Sequence, residues 1–401
     1  MIAACTDTPG AGASRPTFSD AWRRARDYVA EQCEVAGCKV RVDACGNLHA
    51  RPNAIAWDAP VWLSGSHIDS VPHGGNFDGV TGIVLPLEVL RVAKEDAKIA
   101  IPLELIIWAE EEGTTFGLGM LGSRAFVGEL SASRLSELKN AQEQNYVEAG
   151  APHGVRADAI GSQSEKLRPN AYIGLIECHI EQGPGLWNQD CSIAVVTAIA
   201  GRRQYKVSLK GQANHAGSTM MHDRRDALAG AAEVIGAMER YGRDLGNRSV
   251  VTVGQINASP NAINVINDQV VFTIDFRSPQ QEVLARGDPK VRQLVEQIAN
   301  NRGLELSIDE TEMQLVTEMD RAVVGKIERV AKQHCPGGQI EQSTSGALHD
   351  AAILAPHVPT AMIFVASRDG ISHNPGEFSR ISDLALAGKV LFDAVRDRRL
   401  E

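Results

Sequence analysis

The sequence predicts an α/β protein in which a domain with a mostly parallel sheet is interrupted by an inserted ferredoxin-like α+β domain. Apolar runs such as LELIIWAE alternate with helix-like segments, which is typical of a parallel sheet covered on both faces. From about residue 201 the strands alternate in polarity and follow the order strand, helix, strand, strand, helix, strand. We therefore predict a larger domain from residues 1–200 and 316–401 and an insertion from residues 201–315.

The elements of the larger domain follow from local patterns. Residues 18–36 carry apolar side chains at helical spacing, and Gly37 ends the pattern. The run CKVRVDACGNLHARP predicts two strands joined by a turn at Gly46, and APVWLSGSH predicts a third strand. Residues 82–95 predict a buried helix, in which Pro86 implies a kink or a later start.

The insertion begins with the alternating strand at residues 203–210 and continues with a helix at residues 222–243. The runs VVTVGQINAS and QVVFTIDFR predict two further strands around a turn. A helix at residues 289–302 and the strand LELSIDE complete the unit, and helix and strand alternation returns at residues 316–401.

Composition narrows the class of protein. The chain has 401 residues, more than one core usually organises, with 43% hydrophobic and 22% charged residues, as in soluble globular enzymes. The net charge of −10 argues against a nucleic-acid or membrane partner, and no apolar run is long enough to span a bilayer. The N-terminus lacks a secretion signal, and the seven cysteines show no CxxC spacing, so we expect a reduced, cytoplasmic protein.

Polar residues follow the apolar strands. VWLSGSHIDSVPHGGNFDG places His67 and Asp69 just past a strand, at the edge where open α/β sheets bind ligands. Asp78 lies on a Gly-rich loop before the helix and could bridge two metal ions, because a carboxylate has two oxygens. A histidine in a polar loop is more often solvated than ligating, so this stretch is only moderately specific.

Three adjacent acids end the next strand, in WAEEEGTTF. Such a run is usually a solvated face, but at a buried strand end these carboxylates repel one another unless cations compensate them. ECHIEQG repeats the arrangement with His179, and GISHNPGEF places His373 after a fourth strand. Four strand ends of this kind favour a metal site at one sheet edge.

The motifs GSHIDSVPHGGNFDG, EEEG…GMLGSRAF, ECHIEQG, GQANHAGST, RRDAL, INVI…FTIDFR and ISHNPGEF resemble those of the hydantoinase/carbamoylase family of metal-dependent amidohydrolases. This family belongs to the zinc aminoacylase and carboxypeptidase superfamily. The resemblance covers nearly the whole chain in order, and it is more specific for the family than for the substrate.

The resemblance implies two divalent metal ions per subunit (zinc, manganese, cobalt or nickel). Asp78 would bridge them, Asp69 would orient His67, and Glu111 would be the general base that takes a proton from the hydrolytic water. The implied metal ligands are His67, Asp78, Glu112, His179 and His373.

The resemblance also implies a homodimer formed through the inserted domain. His215 would reach the partner subunit's active site and stabilise the oxyanion, and Arg277 would clamp the substrate carboxylate bidentately. Gln182, Asn264 and His349 would also bind the substrate. From the residues alone, Arg277 is equally consistent with a surface ion pair, and His215 with a solvated loop.

The expected reaction is hydrolysis of an N-carbamoyl-L-amino acid to the amino acid, carbon dioxide and ammonia. The alternatives are allantoate, ureidoglycolate or N-carbamoyl-β-alanine, then a peptidase or N-acyl amino acid deacylase, and last a non-catalytic metal-binding homologue. Glu111 and the five ligand positions favour an enzyme. Thr115, Met220 and Leu348 depart from the family's arginine, proline and glycine, and they leave the substrate open.

Overall fold

The computed structural model of the chain describes residues 1–96, 101–163, 165–246, 248–335 and 340–399. The chain forms two compact units. The first contains Met1–Thr197, Glu318–Ser343 and Ala347–Glu401, and the second contains Ala198–Thr317 and Thr344–Gly346. Among the described residues, no helix has the length and apolar character needed to cross a membrane.

The strands form two sheets, a nine-stranded sheet from β1–β6 and β12–β14 and a five-stranded sheet from β7–β11. Their bounds are β1 Cys38–Val42, β2 Leu48–Pro52, β3 Val61–His67, β4 Leu103–Trp108, β5 Tyr172–Ile180, β6 Ile193–Ile199, β7 Gly201–Lys210, β8 Val250–Thr252, β9 Ile256–Ser259, β10 Gln269–Ser278, β11 Glu305–Gln314, β12 Thr317–Glu318, β13 Glu341–Ser345 and β14 Thr360–Val365.

The nine-stranded sheet has the order β1-β2-β4-β3-β5-β14-β6-β12, and β13 pairs with β6. At its centre β4, β3, β5 and β14 are parallel, whereas β1, β2 and β6 pair antiparallel on either side. The four central strands are almost entirely buried. The predicted α/β class with a mostly parallel main sheet is therefore confirmed, and the carboxyl ends of these four strands lie at one edge.

The helices of the structure are α1 Asp20–Val35, α2 Thr81–Glu95, α3 Leu121–Val127, α4 Ala132–Leu135, α5 Tyr146–Gly150, α6 Gly185–Asn188, α7 Ala227–Leu245, α8 Gln281–Asn301, α9 Arg321–His334, α10 Asp350–Leu354 and α11 Ile381–Arg396. The Ser19 hydroxyl caps α1 by accepting from the Trp22 N–H. α2 continues through Pro86. At Gly82 a β-carbon would collide with the Cys178 carbonyl, so glycine lets α2 pack directly on β5.

In the second unit the sheet has the order β11-β7-β10-β8, and β9 also pairs with β10. Its inward side chains, among them Tyr205, Phe272 and Ile274, form a core with α7 and α8. The predicted strand at residues 250–259 is two strands, because three of its residues oppose two of β10 in a bulge. α8 begins at Gln281, well before the predicted start, with Pro289 inside it.

Candidate metal centre

In the first unit, the ends of four parallel strands carry the polar residues that the sequence analysis singled out. His67 is the last residue of β3, and His179 lies one residue before the end of β5. Glu111 and Glu112 follow β4, and His373 follows β14. Because these strands are neighbours and parallel, their carboxyl ends meet at one edge of the sheet, where open α/β sheets bind ligands.

Asp78 lies at the centre of this edge. Its Oδ1 is 3.1 Å from His179 Nε2 and 3.7 Å from His67 Nε2. Its Oδ2 is 3.2 Å from His373 Nε2, which is 3.6 Å from Glu112 Oε2. The ligand atoms of His67, Asp78 and His179 lie within 4.8 Å of one another, as do those of Asp78, Glu112 and His373. One carboxylate thus faces two sets of donors, as a bridging ligand would.

The donor chemistry fits divalent cations. Burial lowers the pKa of His67 to about 4, so Nε2 keeps its lone pair, and Nδ1–H donates a hydrogen bond to the Asp69 carbonyl at 3.1 Å. Burial, reinforced by the Asp78 carboxylate, raises the pKa of Glu112 to about 8. The neutral imidazole of His67 and the crowded, desolvated carboxylates suit a zinc-type cation. Hydrogen bonds to Asp78, which outweigh burial, raise the pKa of His179 and of His373 to about 9, so a bound cation would displace the protons of these two rings.

Asp69 contacts the centre in two ways. Its carbonyl oxygen orients His67, while its carboxylate Oδ1 is 3.6 Å from the same ring nitrogen. Its carboxylate Oδ2 accepts a hydrogen bond from the Glu112 N–H at 3.0 Å. Asp69 therefore ties the end of β3 to the end of β4.

Glu111 is the free carboxylate beside the donor sets. Its Oε2 is 3.6 Å from His67 Nε2, and its side chain is 10% exposed. Burial and then the Glu112 carboxylate raise the pKa of Glu111 well above its usual value. Glu110 has a left-handed φ of 58°, so the strand alternation ends there and two consecutive glutamates can face the same site.

Two residues that received no role in the sequence analysis, Ser372 and Glu377, hold Asp78 in position through hydrogen bonds. Glu377 Oε2 accepts from the Phe77 and Asp78 N–H groups at 2.7 and 2.9 Å, and Ser372 Oγ lies 3.1 Å from Asp78 Oδ2. Gly75 has no room for a β-carbon beside the Glu377 carboxylate. Both polar residues lie in the ISHNPGEF motif, so an acid four residues after His373 was the available signal.

Gln182 and His349 also lie in the first unit. Gln182 Nε2 donates to Asp78 Oδ2 at 2.8 Å, and its buried Oε1 has no hydrogen-bond partner among the described residues. The His349 ring is buried and packs edge-on against the His179 ring at 4.4 Å. Burial lowers the pKa of His349 well below its usual value, so its ring is neutral.

The second unit carries His215, Asn264 and Arg277. His215 is exposed, and its Nδ1 accepts from the Gly217 N–H at 3.0 Å, which leaves the ring proton on Nε2. The Asn264 carbonyl accepts from the Ala216 N–H, so the loops bearing His215 and Asn264 are paired. Arg277 lies on β10 beside a cavity of about 720 Å³.

Comparison with known proteins agrees with the motifs and the fold. Residues 63–397 match the family model described as Peptidase family M20/M25/M40. The chain belongs to this family. An N-carbamoyl-L-amino acid amidohydrolase from Geobacillus stearothermophilus is 37% identical over 388 residues, which cover 96% of this chain and 93% of that protein.

Two further comparisons indicate to which group within the family the chain belongs. An allantoate amidohydrolase from Escherichia coli is 32% identical over 387 residues, covering 96% of this chain and 92% of that protein. The crystal structure of an amidase of the hydantoinase/carbamoylase family from Burkholderia multivorans matches with a TM-score of 0.90 at 36% identity, covering 100% of this chain and 96% of that chain. The predicted resemblance is confirmed: this M20 chain is an amidohydrolase of the carbamoylase and allantoate group and hydrolyses carbon–nitrogen amide bonds.

The three departures from the hydantoinase/carbamoylase pattern have separate surroundings. Thr115 accepts from the Thr17 N–H through Oγ1 at 3.0 Å and donates its own N–H to Glu110 at 2.8 Å. Met220 is exposed, and Leu348 is half-buried next to His349. Of the three, Leu348 is therefore the departure that adjoins a residue predicted to bind the substrate.

Proposed function

We propose that the enzyme hydrolyses an N-carbamoyl-L-α-amino acid, with one water, to the amino acid, carbon dioxide and ammonia. The observation that carries this proposal is the placing of Asp78 between two donor sets with the free Glu111 carboxylate beside them. The relative that is 37% identical carries this activity in its name and supports the choice of substrate.

Two divalent cations would be held in this centre, one by His67, Asp78 and His179 and one by Asp78, Glu112 and His373. Zinc, manganese, cobalt and nickel suit such a nitrogen and oxygen donor set. When bound, such cations lower the pKa of water toward roughly 7 and polarise a carbonyl group.

Glu111 acts as the general base. Its carboxylate takes a proton from the attacking water and later passes this proton to the leaving nitrogen. Burial and the neighbouring Glu112 carboxylate raise the pKa of Glu111, and bound cations would lower it again toward the working pH, where a carboxylate can both take up and return a proton.

Substrate binding is assigned to Gln182, Asn264, Arg277 and His349. The unpartnered Oε1 of Gln182 can accept from the ureido N–H groups, since its Nε2 is already committed to Asp78. Arg277 would bind the substrate carboxylate, which the planar guanidinium can do bidentately.

The test is a screen of purified, metal-loaded protein for ammonia release. It covers N-carbamoyl derivatives of L-amino acids, their D enantiomers, allantoate, ureidoglycolate and N-carbamoyl-β-alanine. We expect the highest kcat/KM for an N-carbamoyl-L-α-amino acid. A higher kcat/KM for allantoate or ureidoglycolate would change the proposed substrate, while the proposed hydrolysis of a ureido group would stand.

Allantoate is the second candidate, because a relative that is 32% identical has that activity in its name. Allantoate carries two ureido groups on one carbon and needs a wider pocket than a carbamoyl amino acid with a small side chain. Leu348 stands where the family has glycine, and this added bulk favours the smaller substrate. Leu348→Gly should shift kcat/KM toward allantoate if the pocket sets the preference.

The active enzyme is proposed to be a homodimer in which His215 serves the partner's site. The Gly217 and Ser218 N–H groups donate to Nδ1, so the ring presents Nε2–H as the donor that an oxyanion needs. A homodimer of His215→Ala should be nearly inactive, because an oxyanion donor is worth about 2.7–4 kcal/mol. A homodimer of Glu111→Gln should also be nearly inactive, because it lacks the general base.

Mixing the two variants under subunit exchange should restore activity, since one site of each heterodimer would combine an intact Glu111 with an intact His215. Mass spectrometry confirms the exchange. If heterodimers form and remain inactive, His215 acts within its own chain or does not contact the substrate.

A further inference from the structure

Asp275 and Arg277 are two residues apart on β10, so their side chains share one face of the strand. Gln204 on β7 is the direct cross-strand neighbour of Asp275. This face lines the cavity of about 720 Å³. Arg277 and Asp275 keep 30% and 24% of their side-chain surfaces exposed, so their pair is open to a ligand and is not a core ion pair.

Asp275 accepts hydrogen bonds at both oxygens. Its Oδ1 receives Arg277 Nε–H at 2.8 Å, and its Oδ2 receives Arg277 Nη2–H at 3.3 Å and Gln204 Nε2–H at 2.7 Å. Arg277 Nη1 donates to the Gly346 carbonyl at 3.0 Å. The guanidinium is thus fixed in its plane by one carboxylate and one carbonyl.

Arg277 keeps N–H donors that its contacts with Asp275 and Gly346 do not use. An arginine side chain has five N–H donors, and Asp275 and Gly346 use three of them. Two remain, the number that a substrate carboxylate accepts in a bidentate pair. A guanidinium whose orientation is set before binding loses less entropy when the carboxylate arrives.

We infer that Asp275, held by Gln204, is a positioning residue that presents the last two N–H donors of Arg277 to the substrate carboxylate. This inference rests on the proposed function. The competing view treats Asp275 only as a negative charge beside the cavity, where it would repel an anionic substrate. The two views predict opposite changes when the charge is removed.

The test is Asp275→Asn. Both oxygens of the Asp275 carboxylate accept from at least one N–H group, so either orientation of the introduced amide places its NH₂ against a donor. Because hydrogen bonds to charged groups contribute about 1.5–3 kcal/mol, we expect KM for the ureido acid to rise about 10- to 100-fold. kcat should stay within about threefold, since the reacting atoms are not contacted.

Three comparisons separate positioning from folding. The same substrate with its carboxylate converted to an amide should show no further rise in KM in the variant. Glu310→Gln breaks an arginine–carboxylate pair with Arg203 in the same sheet and should leave KM unchanged. Asp275→Asn combined with Gln204→Glu should recover part of the loss, because the introduced amide can then donate to the introduced carboxylate and accept from Arg277.

An unchanged or lowered KM in a folded Asp275→Asn protein overturns the inference. If that variant does not fold, Gln204→Met removes only the outer hydrogen bond and should raise KM by about threefold. A Kd comparison in the Glu111→Gln background gives the same answer without turnover. A wild-type protein that releases no ammonia from any ureido acid, in contrast, refutes the proposed function and leaves the Kd comparison to decide the role of Asp275.

Discussion

Two buried clusters of charged residues in the first unit share the strand β4 but differ in their balance of charge. The first, here the His49 cluster, consists of Asp43, His49, Arg51 and Glu104. His49 contacts Glu104 at 2.7 Å and Asp43 at 3.1 Å through its two ring nitrogens, and Arg51 Nε donates to Glu104 at 2.7 Å. Two acids therefore face two groups that can carry positive charge, with at most 1% of any side chain exposed.

The candidate metal centre lies past the other end of β4. Its Asp78 carboxylate is matched by His179 and His373, whereas Glu111 and Glu112 lie 3.6 Å from the nearest histidine nitrogen and are less closely paired. Its carboxylates crowd together, and burial raises the pKa of Glu111 and of Glu112. The nearby guanidinium of Arg15 is buried, but its two terminal nitrogens have no hydrogen-bond partner among the described residues.

The two clusters differ in whether their charges and hydrogen bonds are complete, and this property distinguishes a structural cluster from a functional one. A cluster whose charges and hydrogen bonds are complete holds elements together and has no capacity left for a ligand. A cluster with excess carboxylates is unfavourable without a cation, and such unsatisfied groups concentrate at functional sites.

Metal removal should give the largest effect. Treatment with a chelator should abolish activity and lower the Tm, because cations that bind only the folded state stabilise it. Adding back zinc or manganese should restore both. Full activity in protein shown by elemental analysis to be free of metal would contradict the assigned centre.

The balanced cluster should respond to loss of one member with a large loss of stability. Glu104→Gln leaves His49 and Arg51 without their shared carboxylate, and breaking a buried pair costs about 3–5 kcal/mol. Urea denaturation measures this change in the free energy of unfolding, and metal stoichiometry should stay the same. Asp20→Asn, which breaks an exposed pair with Arg23, is the matched control and should cost less than about 1 kcal/mol.

The same type of substitution should act in the opposite direction at the metal centre. Glu111→Gln should lower kcat by at least ~10²-fold while metal stoichiometry is kept. In metal-free protein it should raise the free energy of unfolding by about 0.5–2 kcal/mol, because one uncompensated buried carboxylate is gone. Near-normal turnover would show that Glu111 is not the general base. A metal-free variant less stable than the metal-free wild type would contradict the view that the Glu111 carboxylate is uncompensated.

The sequence predicted the strand ends that carry the candidate ligands because an apolar run followed by His, Asp or Glu is a local pattern. Parallel pairing then brings these ends together. The assignment of Glu111 as base and Glu112 as ligand came from the family resemblance. Strand alternation alone would send two consecutive residues to opposite faces, and the left-handed φ of Glu110 is not visible in the sequence.

The remaining contacts depend on tertiary structure. The His49 cluster forms because β2 pairs antiparallel with β4, which brings His49 beside Glu104. Glu377 reaches the Asp78 N–H from a distant loop. Strand alternation alone predicts that Asp275 and Arg277 share one face of β10. The hydrogen bond from Gln204 to Asp275 could not be predicted in this way, because it depends on the register of β7 and β10.

The smallest effect concerns the pH dependence of stability. Burial alone would lower the pKa of His49, but its hydrogen bonds to Asp43 and Glu104 outweigh burial and raise it above the usual value of about 6.5. Arg51 and the Tyr172 hydroxyl also face this site through Glu104.

Above pH 6.5 the unfolded chain loses the proton that folded His49 retains, so the stabilisation is full below this pH and declines as pH rises through the folded pKa. The decline is at most about 1.4 kcal/mol per pH unit for one proton. The free energy of unfolding of the wild type should therefore exceed that of His49→Gln by more at pH 6 than at pH 8. The carboxylates of the metal centre are the same in both proteins, so their titration cancels in this difference. An equal gap at the two pH values would mean that folding does not shift the pKa of His49, and a larger gap at pH 8 would mean that His49 is neutral when folded. Either result would contradict the charge balance of the cluster.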